Sequence, residues 1–122
     1  FVDPEVAPDE KEIIRWFHAN ELTAKTHLSF GRFLDIVPVR ASKGAAIRYV
    51  ADQWGIPIER ILAAGGSGAD EDMMRGNTLA VVVANRHQEE LSELEDVERV
   101  YFSEKTHASG ILDAIEHYDF LS

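Results

Sequence analysis

The sequence predicts an α/β fold: a partial doubly wound parallel sheet flanked by helices, preceded by a helix-plus-hairpin element. From Ser42 onward the pattern alternates helix, strand, helix, strand, helix, strand, helix, with short and almost wholly apolar strands. Alternation at these lengths implies parallel strands joined by right-handed crossovers. Residues 1–40 break that rhythm, which divides the chain into an N-terminal element over 1–40 and an α/β core over 41–122.

Each element has its own signal. Pro8-Asp9 followed by Glu12 has the form of a capping box, so a helix runs from Asp9 to about Glu21. Ile13, Ile14, Phe17 and Leu22 form its apolar face. "TAKTHLSF" and "RFLDIVPVR" read as a hairpin turning near Phe30-Gly31-Arg32. Ser42 is a good N-cap for the next helix, whose stripe of Ala46, Ile47, Val50, Ala51 and Trp54 is expected to be buried. Gly55 and Pro57 end it. "RILAA", "TLAVVVA" and "RVYFS" are the three strands of the core. Asp70-Glu71-Asp72 suits the first turn of a short helix, where the macrodipole favours negative charge. "HQEELSELE" is a short polar helix, and "HASGILDAIEHYDFL" closes the chain with Ile111, Leu112, Ile115 and Tyr118 on one face. Both tryptophans read as core, and the glutamates from Glu89 to Glu98 as a solvated face.

Composition narrows the function. Hydrophobic residues at 45% and charged residues at 28% of 122 are the balance of a globular domain. A formal charge of −10 offers no basic footprint for nucleic acid. No apolar run approaches the roughly 20 residues of a membrane span, so no membrane partner is expected. With no cysteine, thiolate metal sites and cysteine nucleophiles are excluded, and a cytoplasmic location is the expectation. A chain that opens on Phe1 reads as processed, or as a piece of a longer protein.

Two places offer chemistry. "GGSGAD", Gly65 to Asp70, links an apolar strand to a helix at the strand's carboxyl end, where open α/β sheets bind ligands. It is neither a G-x-G-x-x-G fingerprint nor a P-loop, so a bare turn and a ligand loop both remain open. Lys43 starts a helix, and a lysine beside free backbone N–H groups suits a phosphate. The alternative is a solvated lysine. The five histidines show no H-x-H or H-E-x-x-H spacing, which disfavours a histidine metal site.

Lys43-Gly44 on a helix, the glycine loop and "NTLAVVVANRHQEEL" together resemble the second half of a haloacid-dehalogenase (HAD) superfamily phosphatase with an inserted cap. The stretch from Leu34 to Val83 is similar to the sucrose-phosphate phosphatase group, and most of all to the phosphatase-like domain fused to sucrose-phosphate synthases. The resemblance implies that residues 1–40 are the end of a cap and 41–122 half of a HAD/Rossmann-like core. It implies phosphate-binding roles for Lys43 and Ser67 and a metal role for Asp70. Active members carry magnesium and read Gly-Asp-Ser-Gly-Asn-Asp in the loop, whereas Gly66 and Ala69 stand at the first acid and the Asn here. Magnesium requires hard oxygen donors that glycine and alanine lack. Glu71 and Asp72 are expected to face solvent and not to substitute. The Asp-x-Asp-x-Thr strand that supplies the nucleophile has no match in the chain, so no residue is given a catalytic role and no cofactor is expected in this chain.

Three functions follow from this reading. The first is the non-catalytic phosphatase-like region of a sucrose-phosphate synthase, with its glycosyltransferase region upstream in the same polypeptide and a sugar phosphate as candidate ligand. The second is a fragment of an active magnesium-dependent sucrose-phosphate phosphatase. The third is a small stand-alone binding or assembly module. If the chain folds alone, the sheet edge beside "RILAA" is apolar and unpaired unless the N-terminal helix or a second copy in a homo-oligomer covers it.

Overall fold

The computed structural model describes residues 1–3 and 5–122, without the side chains of Gln88 and Glu89. Helix α1 (Glu10–Ala19) begins on the predicted capping box, with the Asp9 N–H donating to Glu12 Oε2 at 3.2 Å. Strands β1 (Ala24–Ser29) and β2 (Phe33–Pro38) pair antiparallel, with Ser29 opposite Phe33 and Ala24 opposite Pro38. They form a sheet of their own, against which α1 packs.

The α/β core follows the predicted alternation. Helix α2 (Lys43–Trp54) is capped by Ser42, whose Oγ accepts the Ala45 N–H at 3.1 Å. It stops at Gly55, whose φ of +65° is the left-handed turn that glycine adopts without penalty. Strands β3 (Leu62–Gly65), β4 (Leu79–Val82) and β5 (Val100–Phe102) are parallel in the order β3-β4-β5. Between them lie α3 (Glu71–Met74) and α4 (Gln88–Leu91), and α5 (His107–His117) follows β5. Strand β4 is central, and Ala80, Val81 and Val82 are wholly buried, as a parallel strand covered on both faces should be. The core gathers around Met74, Ala80, Val82, Leu91, Leu94 and Val100.

The helix faces differ from the sequence expectation. On α2 only Gly44 and Ala51 are buried, while Val50 and Trp54 are 40% and 74% exposed. On α5 the buried residues are the small ones, Gly110 and Ala114, and Leu112 is 62% exposed. A Cβ on Gly110 would come within 2.8 Å of Val83 Cγ1, so small residues let α5 approach the end of β4 closely. Trp16, like Trp54, is a surface residue. Strand β3 is an edge strand, and α1 lies on β1 rather than along it. Among the described residues no helix is long and apolar enough to cross a membrane.

Candidate functional site

The strand-to-helix turn after β3 is built around Asp70. Its Oδ2 accepts the backbone N–H groups of Gly66 at 2.9 Å and Ser67 at 3.1 Å, with the Ser67 hydroxyl at 3.4 Å. Its Oδ1 pairs with Lys43 Nζ at 2.6 Å. The three residues picked out from the sequence, Lys43, Ser67 and Asp70, therefore meet at one point. Burial of the carboxyl opposes its ionisation, but the hydrogen bonds from Lys43, Gly66 and Ser67 outweigh it and hold the Asp70 pKa below the usual carboxylate value.

Sterics explain two of the loop's glycines and leave the third free. A Cβ on Gly65 would lie 2.5–2.6 Å from the Asp70 side chain folded over it. A Cβ on Gly68 would overlap the carbonyl oxygen of Leu28, because β1 lies directly on the turn. A Cβ on Gly66 meets Val83 Cγ2 at 3.2 Å and Arg86 Cα at 3.5 Å, a fit that needs only a small adjustment. Packing does not require glycine at the position where the resemblance puts an acid.

Asp72 is a correction to the sequence reading. It turns inward, 19% exposed, rather than to solvent. Its Oδ2 accepts the Gly44 N–H at 2.8 Å and its Oδ1 pairs with Lys25 Nζ of β1 at 3.3 Å. Burial pushes against its ionisation, and bonds from Ser42, Gly44 and Lys25 prevail and lower its pKa. Gly44 has to be glycine, since a Cβ would fall 2.6 Å from this carboxylate. The N–H groups of Gly44 and Ala45, counted from the sequence as free for phosphate, are thus held by Asp72 and Ser42. Glu71 behaves nearer to expectation, half-exposed and paired with Arg75 four residues on.

Glu90 is the residue that the sequence reading missed. Placed with the solvated glutamates, it is 8% exposed, and its carboxylate accepts three backbone N–H groups. These are Gly68 at 2.8 Å and Phe30 at 3.2 Å on Oε1, and Gly31 at 3.0 Å on Oε2. The available signal was the hydrophobic spacing: Leu91 and Leu94 interrupt the polar run and are wholly buried, so the run cannot all face water. Glu89 of the same run lies outside the described side chains.

In sum, the turn's amides at Gly66, Ser67 and Gly68 and the α2 amide at Gly44 all point at carboxylates of this chain. Such a cluster of N–H donors beside a lysine is built to hold negative charge. Among the described residues no three His, Asp or Glu side chains are grouped to hold a metal ion.

The chain is similar to known proteins in sequence and in fold. The sequence profile described as Sucrose-6F-phosphate phosphohydrolase matches residues 1–119. The crystal structure of the sucrose-phosphatase from Synechocystis in complex with sucrose and phosphate superposes with a TM-score of 0.87 at 28% identity, covering 99% of this chain and 49% of that one. Mannosylfructose-phosphate phosphatase from Agrobacterium fabrum is 30% identical over 82% of this chain and 41% of its own length. Glucosylglycerol-phosphate synthase from Pseudomonas anguilliseptica is 28% identical over 74% of this chain and 12% of its own. The chain spans less than half the length of each of these relatives. It belongs to the sucrose-6F-phosphate phosphohydrolase family.

Proposed function

We propose that this chain is the phosphatase-like C-terminal region of a sucrose-phosphate synthase and is itself non-catalytic. The glycosyltransferase region lies upstream in the same polypeptide and transfers glucose from UDP-glucose to fructose 6-phosphate. On this reading residues 1–40 are the end of a cap and 41–122 the second half of the core. The free edge of β3 takes a further strand of the same polypeptide, with a second copy of the chain as the alternative occupant.

The observation that carries the non-catalytic reading is the saturation of Asp70. One oxygen is bound by Lys43 and the other by the loop's own N–H groups. Magnesium does not fit this donor set. Gly66 and Ala69 contribute no side-chain oxygen, Asp72 is committed to Gly44 and Lys25, and Glu71 to Arg75. Phosphoryl transfer depends on charge placed around the transferring group, and a loop without that charge cannot stabilise it. What remains is binding: Lys43, 54% exposed with donors beyond the one given to Asp70, and the Ser67 hydroxyl form a residual phosphate site for a sugar phosphate.

A synthase relative of which the chain covers 12% supports the fused arrangement. The names of the phosphatase relatives favour a second reading, a fragment of an active magnesium-dependent sucrose-phosphate phosphatase. The native mass, read by immunoblot with an antibody to this chain, separates the two. A band several times heavier than 13.7 kDa supports the synthase, and one at about twice that mass supports the phosphatase.

A further inference from the structure

The hairpin turn beside the glycine loop carries a residue that its fold does not explain. Phe30 and Gly31 are the two central residues between β1 and β2, with φ of +56° and +65°, closed by the Arg32 N–H to the Ser29 carbonyl at 3.2 Å. That geometry is a type I′ turn, in which asparagine, aspartate or glycine is preferred at the first position. A bulky aromatic in the left-handed region is an outlier. Nor does burial compensate, since the Phe30 ring is 57% exposed. The conformation is imposed by the Glu90 carboxylate, which grips the Phe30 and Gly31 amides while holding Gly68 of the glycine turn.

Phe30 is held over a cavity. About 290 Å³ in volume, it opens at the carboxyl end of β3 between Phe30, Gly66, Ser67, Asp70, Asn85 and His107. A second left-handed non-glycine residue lies on its wall: His107, φ +52°, whose N–H is fixed by Asn85 Oδ1 at 2.9 Å. Two of the four such residues among those described thus line one small cavity, and backbone strain of this kind clusters where a ligand is held.

We propose that Phe30 determines specificity in this cavity: its ring receives the apolar face of a sugar whose phosphate lies toward Lys43 and Ser67. The inference rests on the residual phosphate site proposed above. A sugar phosphate fits both ends, a dianion for the lysine and a ring with one C–H-rich face for the phenyl. The Asn85 amide and His107 imidazole on the wall meet its hydroxyls.

The test compares the binding of sucrose 6-phosphate and of inorganic phosphate to the full-length protein by calorimetry. The Lys43→Ala variant serves as the blank, so that only binding dependent on this site is counted. Phe30→Ala is expected to weaken sucrose 6-phosphate by about three- to tenfold, the range of an aromatic contact, and to leave inorganic phosphate unchanged. Phe30→Tyr restores the difference. Equal effects on both probes, or none on either, overturn the role of Phe30 and leave the phosphate site standing. If no phosphate binding depends on Lys43, the site and the role of Phe30 both fall.

Discussion

Lys43 Nζ and Asp70 Oδ1 lie 2.6 Å apart, joining the first residue of α2 to the end of the turn that follows β3. By the resemblance, the pair stands at the lysine and the one loop acid of the phosphatase pattern. Each neutralises the other. Replacing Lys43 with glutamine removes the largest influence that lowers the Asp70 pKa, and burial then acts against the charged form. The Asp70 pKa should rise, a change that carboxyl carbon NMR titration follows directly. Because Lys43 is half-exposed, the same change should cost no more than about 1 kcal/mol of stability.

Asp72 should matter more to folding than its place in an acidic run suggests. It satisfies an N-terminal amide of α2 and reaches Lys25 of the hairpin, whereas Glu71 makes an i,i+4 pair at the surface. Asp72→Ala should destabilise by about 1–2 kcal/mol, as the loss of a helix cap does. Glu71→Ala should stay within about 0.5 kcal/mol. Urea midpoints of the two variants provide the comparison.

The loop glycines should separate sharply. Gly68→Ala forces a methyl into the Leu28 carbonyl and should cost at least about 2 kcal/mol. Gly66→Ala meets only contacts of 3.2 Å and longer and should change stability by less than about 1 kcal/mol. Thermal unfolding of both variants checks the contrast. An equal loss at Gly66 would mean that glycine is required there for packing.

Away from the site, Asp113 ties α5 to β5. It accepts from Ser103 Oγ at 2.7 Å, Lys105 Nζ at 3.0 Å and Tyr101 Oη at 2.9 Å, which lowers its pKa to about 2. Its folded pKa lies below the unfolded value near 3.9, so the stabilisation is fully present above about pH 4 and is lost as pH falls through 2. Asp113→Asn should therefore lower the melting temperature at pH 7, and the difference from the parent should shrink steadily below pH 4.

The strands were legible in the sequence, because apolar runs, a serine cap and a glycine turn are local signals, whereas the meeting of Lys43 with the glycine loop was implied only by the family resemblance. What was hidden depends on distance. Asp72 and Glu90 sit in acidic runs that look solvated, and their partners lie far away along the chain, at Gly44, Lys25, Phe30 and Gly31. A carboxylate is buried when amides arrive to meet it, and spacing within its own segment does not record that. The reverse error arose on α2 and α5, where an apolar stripe marks Val50, Trp54 and Leu112 as suited to burial but does not supply a neighbour to bury them.

On the proposed reading the glycine loop supports no metal chemistry. The measurement that tests it most directly is release of inorganic phosphate from sucrose 6-phosphate by the full-length protein, with magnesium and with a chelator. Release no faster than the buffer blank is expected in both conditions. Magnesium-dependent release that disappears when Asp70 is replaced by alanine would contradict it, because Asp70 would then be holding a metal rather than Lys43 and the turn's own amides.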